Sequence, residues 1–193
     1  MKSSKKYQVI LSIDILWVSL NPTQQAIDEK AIFGNSNGLW NIYRRAGIIH
    51  ESTFRIEPNK MQETIYNRKV GTDYNMEHLD LLPHIIEIDS KLVKPTINDV
   101  YVFIENIKLN PPKVIALMGQ KVVDAFHKAY PEIKSWNQTK GKFGQIGVLD
   151  IGGILVPVFK LPFPVNNSTP NKDEHYKIIK NAVDDLNYNK KAI

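Results

Sequence analysis

No cysteine occurs among the 193 residues, which removes disulfides, thiolate zinc sites, thiolate-held iron-sulfur clusters and cysteine nucleophiles in one step. Long apolar runs are missing too. No stretch approaches the roughly 20 residues a bilayer-spanning helix needs, and the basic start Met1-Lys2-Ser3-Ser4-Lys5-Lys6 is not followed by a small-residue cleavage site of the secretory kind. The expectation is a protein of the cytoplasm with no membrane partner. The Gly-rich spacings of dinucleotide and P-loop sites are absent. The five histidines, His50, His78, His84, His127 and His175, show no paired metal-ligand spacing, and singly they read as structural or solvent-exposed. Neither a metal nor an organic cofactor is implied.

What is present is an ordinary hydrophobic fraction of 42% and a formal net charge of +5. Together they indicate one domain spanning 1–193, with its core at about 7–188 and short basic tails, and no oligomer is called for. The charge allows a polyanionic partner without demanding one. Lys2, Lys5, Lys6, Lys190 and Lys191 lie in the tails. Arg44 and Arg45, Arg68 and Lys69, and Lys140-Gly141-Lys142 lie in the body, and would track a phosphate backbone only if they converged on one face.

Patterning gives alternating strands and helices. Ile15 to Leu20 is a continuous apolar run closed by Asn21-Pro22, which predicts a core strand. Helical spacing follows from Gly38 to Ala46, stopped at Gly47. The segment from Ile48 to His78 reads as a surface excursion with one short helix around Lys60 to Tyr66, long enough to carry substrate contacts. A second core strand is predicted at His84 to Asp89, a helix over Ile97 to Leu109, and a third strand at Val114 to Met118. Gly119 is the tight turn into a helix from Lys121 to Tyr130. After a polar turn region from Trp136 to Gly147, two runs flanking Gly152-Gly153 predict a hairpin. Thr169 is the expected cap of a last helix with Pro170 at its first position and Asp173 and Glu174 in its first turn. Ile178, Ile179, Val183 and Leu186 are its predicted buried face. The fold class is therefore α/β: a three-layer α/β/α domain with a mostly parallel central sheet.

In such sheets ligands bind beyond the carboxyl ends of the strands, which makes Asn21 the first candidate residue. Its amide does not titrate near neutral pH, so any chemistry it supports rests on orienting a water or a substrate. An Asn-Pro pair also simply opens turns. Asn37 precedes a helix, where Asn is a preferred N-cap, and Phe33 equally suits an ordinary loop anchor. Asp14 precedes the first strand and is expected at the opposite end of the sheet.

Two loops carry a family resemblance. Ser19-Leu20-Asn21-Pro22-Thr23, then Phe33, then Asn37-Gly38-Leu39-Trp40 with Ala46-Gly47 closing the helix, resemble the first motif of uracil-DNA glycosylases, closest to the mismatch-specific uracil/thymine branch. Pro162-Phe163-Pro164-Val165-Asn166-Asn167 stands where that family carries its second motif. The resemblance runs from Ile15 to Leu186. It implies hydrolysis of the N-glycosidic bond of uracil or a related damaged base in DNA, by base flipping. Asn21 would position the water; Leu20, Pro22, Phe33 and Asn37 would hold the base. Thr23, Gln24, Pro162, Phe163, Val165, Asn166, Asn167 and Ser168 would meet the DNA, with Val165 as the wedge. The sequence departs from the family at Ser19 and Thr23, which replace glycines, at Phe163, which replaces a serine, and at Leu161, where several branches place a His or Asn. Loss of that donor implies slow, restricted or absent turnover, since deleting a comparable donor elsewhere costs roughly 3 to 4 kcal/mol. The alternative is a glycosylase-fold protein, weak or inactive in catalysis, that binds nucleic acid, a nucleobase or a protein partner.

Overall fold

The computed structural model describes residues 12–35, 37–89, 91–133, 142–164 and 169–191. Five strands form one sheet in the order β2-β1-β3-β5-β4: β1 Ile15–Ser19, β2 Met76–Asp80, β3 Val114–Met118, β4 Gly144–Ile151 and β5 Ile154–Leu161. β2, β1, β3 and β5 run parallel, and β4 pairs antiparallel with β5. The uninterrupted apolar make-up of β1 and β3 follows from this. Every residue of both strands is buried, because a central parallel strand is covered on both faces. Pro157 is tolerated inside β5 because pairing with β3 begins only at Val158, so its missing N–H costs no ladder bond there.

Helices cover both faces, giving the α/β/α layering. α2 (Asn37–Arg45) and α6 (Lys172–Lys191) pack on one side, around Trp17, Trp40, Tyr43 and Tyr176. α4 (Ile97–Ile107) and α5 (Gln120–Ala129) pack on the other, with Phe103 and Phe126 in that core. Trp17 stacks on Tyr43 at 5.0 Å and on Tyr176 at 5.7 Å between ring centroids, joining β1 to both helices of its face. α4 starts with a capping box, Thr96 accepting from the Asp99 backbone while Asp99 accepts from that of Thr96. The β4–β5 hairpin turns on Gly152 and Gly153, both at positive φ (64° and 88°), as the tight two-residue turn requires. Gly119 leads from β3 into α5 at φ 98° and ψ 152°, a conformation that side chains with a Cβ disfavour.

Several elements differ from the sequence reading. The second strand is not His84 to Asp89 but Met76–Asp80, at the end of the supposed surface excursion. Residues 84–89 form no strand, and Ile86 and Ile88 are 50% and 82% exposed. Pro83 precedes the segment, and the carbonyls of Ile85 and Glu87 accept from a side chain instead of a neighbouring strand. The excursion itself contributes core. Ile48, Ile49, Met61, Ile65, Tyr66, Tyr74 and Met76 are buried; Met61 comes from α3 (Pro58–Gln62), Ile65 and Tyr66 from a π-helical turn at Glu63–Asn67, and a 3-10 turn at Glu51–Arg55 buries Thr53. Such short pieces carry no sustained 3.6-residue pattern. α6 begins at Lys172, so Pro170 lies in the preceding turn and Thr169 is outside the capping position; Asp173 and Glu174 do occupy the first turn. On that helix Tyr176 joins Ile179 and Val183 in the core, while Ile178 is 39% exposed. Among the described residues no helix is long and apolar enough to cross a membrane.

Candidate functional site

β2 and β3 lie on opposite sides of β1, so the chain reverses its direction of travel across the sheet beside β1, and a crevice opens past its carboxyl end. Asn21 stands there. Backbone pairing continues just beyond the strand ends, with Leu81 N–H donating to Ser19 O and Leu82 N–H to Leu20 O, both at 2.9 Å. This fixes the loop 80–89 against the exit of β1. The Asn21 amide nitrogen then donates to the carbonyls of Pro22 (3.0 Å), Ile85 (3.3 Å) and Glu87 (2.9 Å). Three carbonyls can only accept, so this geometry identifies the atom facing them as Nδ2. Oδ1 has no partner among the described residues and is the group left to act, as an acceptor.

A cavity of about 240 Å³ lies beside it, lined by Asn21, Pro22, Thr23, Phe33, Ser19, His78, Asp80 and Phe163, with Lys30, Gln62 and the apolar Ala26, Ile27, Ala31 and Ile32 completing the wall. Phe33 stands between two elements: its ring meets His78 edge-on at 5.4 Å and Phe163 at 5.1 Å. Its backbone holds φ 50°, a left-handed conformation that costs a non-glycine residue about 1 to 3 kcal/mol and persists only where the surroundings impose it. Phe163 lies two residues beyond the end of β5, and α6 braces its loop through Tyr176, whose hydroxyl donates to Pro162 O at 3.0 Å, and Lys172, whose ammonium donates to Pro164 O at 3.2 Å.

The polar wall comes from register. Trp17 pairs with His78 and Ser19 with Asp80 across the parallel β1–β2 ladder, so these four side chains share one face of the sheet. The Ser19 hydroxyl, itself buried, donates to one oxygen of Asp80. His78 Nε2 is buried with no hydrogen-bond partner. Burial pushes the His78 imidazole down to about 4, against an opposing pull from the Asp80 carboxylate, so at neutral pH the ring carries no charge.

The sequence candidates divide accordingly. Asn21, Pro22, Thr23, Phe33 and Phe163 meet at the cavity; Leu20, Gln24, Asn37 and Pro162 lie outside its walls. Leu20 packs into the core on the other face of the sheet. Gln24 is exposed and donates to Asp28 at 2.7 Å along α1 (Gln24–Asp28). Thr23 also caps that helix, accepting from Ala26 N–H at 3.2 Å. Asn37 is the exposed first residue of α2. Pro162 is buried, and Leu161 is fully buried in the core, paired with Met118. Val165, Asn166, Asn167 and Ser168 lie outside the described residues, as do Lys140, Gly141 and the tail lysines Lys2, Lys5 and Lys6. Asp14 stands at the amino end of β1, 2.6 Å from Lys113, away from the site.

Four of the body cations have partners among the described residues. Arg44 is bound to Thr53 and Asn41, Arg45 lies 3.6 Å from Asp173, Arg68 pairs with Glu63 and Lys69 with Glu77. Sequence reasoning missed Ser19 as a site residue, and also Lys30, Gln62, His78 and Asp80. The alternation His78-Leu79-Asp80 was the available signal, hidden because the second strand was expected farther along. No protein-family model matches the sequence, and comparison with curated proteins finds no match.

Proposed function

We propose that this protein is a monofunctional DNA glycosylase of the uracil type, which flips a uracil or related damaged base out of DNA and hydrolyses its N-glycosidic bond with a water positioned by Asn21. The observation that carries the reading is the state of the Asn21 amide. Its nitrogen is spent on three carbonyls, so its free Oδ1 points the amide toward one task, accepting a hydrogen from a water. Held that way, the water presents a lone pair to the sugar carbon. As its oxygen bonds to that carbon, the carbon–nitrogen bond breaks, the base leaves with the electron pair, and the proton the water gives up neutralises the departed base anion through solvent. Phe33 and Phe163 offer aromatic surface for the extruded ring, and the cavity volume suits a single-ring base better than a large cofactor. DNA is then the partner, and Lys30, in the cavity wall, supplies positive charge for it.

A cleavage assay on uracil-containing duplex and single-stranded oligonucleotides tests this. Base release that disappears in Asn21→Ala is the expected result, and release no greater than in that variant refutes it. The burial of Leu161 favours a second reading, in which the same cavity binds a base or nucleic acid without turnover, because no polar group from that position can stabilise the departing anion. Salt-dependent DNA binding with no base release is its signature.

A further inference from the structure

We infer that Asp80 and His78 form a recognition edge that demands a hydrogen-bond donor of its ligand, so that the cavity takes a planar nitrogen heterocycle presenting an N–H donor beside an acceptor on one edge. The inference deepens the reading of the cavity as a base pocket, and it does not depend on turnover. Three features carry it.

First, an ionised carboxylate only accepts. One oxygen of Asp80 is held by the Ser19 hydroxyl, which fixes the carboxylate; the other has no partner among the described residues while the residue lines the cavity. Second, neither ring nitrogen of His78 has a hydrogen-bond partner among the described residues, and Nε2 is buried. A neutral imidazole offers one donor and one acceptor. Third, His78 and Asp80 are two residues apart on one strand and face the same way, so their side chains present a donor beside an acceptor at roughly 7 Å between Cα atoms. Phe33 and Phe163 add aromatic surface to the wall, which favours a flat ring. The imide edge of uracil satisfies this pattern, as does the amino edge of cytosine; a ring with its N–H replaced by a methyl does not.

The test uses 1-methyluracil, 1,3-dimethyluracil and 1-methylcytosine as probes, with affinity measured by calorimetry and the His78 side-chain nitrogen signals followed by NMR. Those signals are identified by their absence from His78→Phe. The wild-type protein is expected to bind 1-methyluracil, 1-methylcytosine or both at least about tenfold more tightly than the dimethyl compound, with a shift of the His78 signals. Asp80→Asn, which restores a donor at the same size, is expected to shrink that preference to within about threefold, with circular dichroism confirming its fold. Equal binding of all three probes, no binding of any of them, or an unchanged preference in Asp80→Asn overturns the inference. The two readings fail separately. Donor-dependent binding without release of uracil from DNA removes only the catalytic proposal, and uracil release without donor-dependent binding removes only this one.

Discussion

Acidification should unfold this protein partly through one residue, His78. Its imidazole is held neutral, with its proton affinity lowered by burial from the ordinary 6.5 to about 4. The unfolded chain therefore binds a proton at His78 in a range where the folded chain does not. The stability that depends on this group is fully present above pH 6.5 and is lost as the pH falls from there toward 4. Linkage between the two values puts the loss near zero at pH 7, at about 2 kcal/mol by pH 5 and at about 3 kcal/mol by pH 4. His78→Phe keeps a ring against Phe33, removes the unpaired Nε2 and does not titrate. Urea midpoints of both proteins between pH 7 and pH 4 isolate the effect, since carboxylates such as Asp184, whose Lys180 and Tyr74 hydrogen bonds hold its carboxyl low against the opposing effect of burial, contribute equally to both. The variant should gain on the wild type by the stated amounts as the pH falls. Parallel curves, with a constant difference, would refute the claim that the fold holds His78 in its neutral form.

Three further predictions concern the scaffold of the site. Tyr176→Phe removes the hydroxyl that donates to Pro162 O; it should cost about 1 kcal/mol in thermal or urea unfolding and lower any base affinity of the cavity, because Phe163 follows that carbonyl. Gly119→Ala places a Cβ with room around it, 3.9 Å from the Phe163 ring at nearest, so the penalty is conformational, about 1 to 3 kcal/mol, and should appear in equilibrium unfolding without loss of native circular dichroism. Trp17→Ala, at the centre of the stack between Tyr43 and Tyr176, should cost about 3 to 5 kcal/mol, measured by the same unfolding curves.

Much of the fold was legible where one element carries one uniform signal. β3 coincides with the predicted Val114 to Met118, and β1 falls within Ile15 to Leu20, because a strand buried on both faces is apolar throughout. α2, α4 and α5 were found through their 3.6-residue stripes, and the hairpin through Gly152-Gly153. β2 was missed for the converse reason. It is the sheet's edge strand, its sequence Met76-Glu77-His78-Leu79-Asp80 is mixed, and only Met76 is buried. The apolar alternation of residues 84–89 was the stronger local pattern, yet its carbonyls went to Asn21.

The sequence by itself determined the layered α/β/α plan, the exit of β1 at Asn21 and the exclusion of thiol chemistry, since each rests on composition or on periodicity along a single element. Tertiary structure decided what surrounds Asn21. Which oxygen or nitrogen of its amide is free depends on carbonyls 64 and 66 residues away. The meeting of Phe33, His78, Asp80 and Phe163 depends on strand register and on loops returning to one sheet edge. Such contacts join residues far apart in the chain through geometry, and no periodicity along the chain records them.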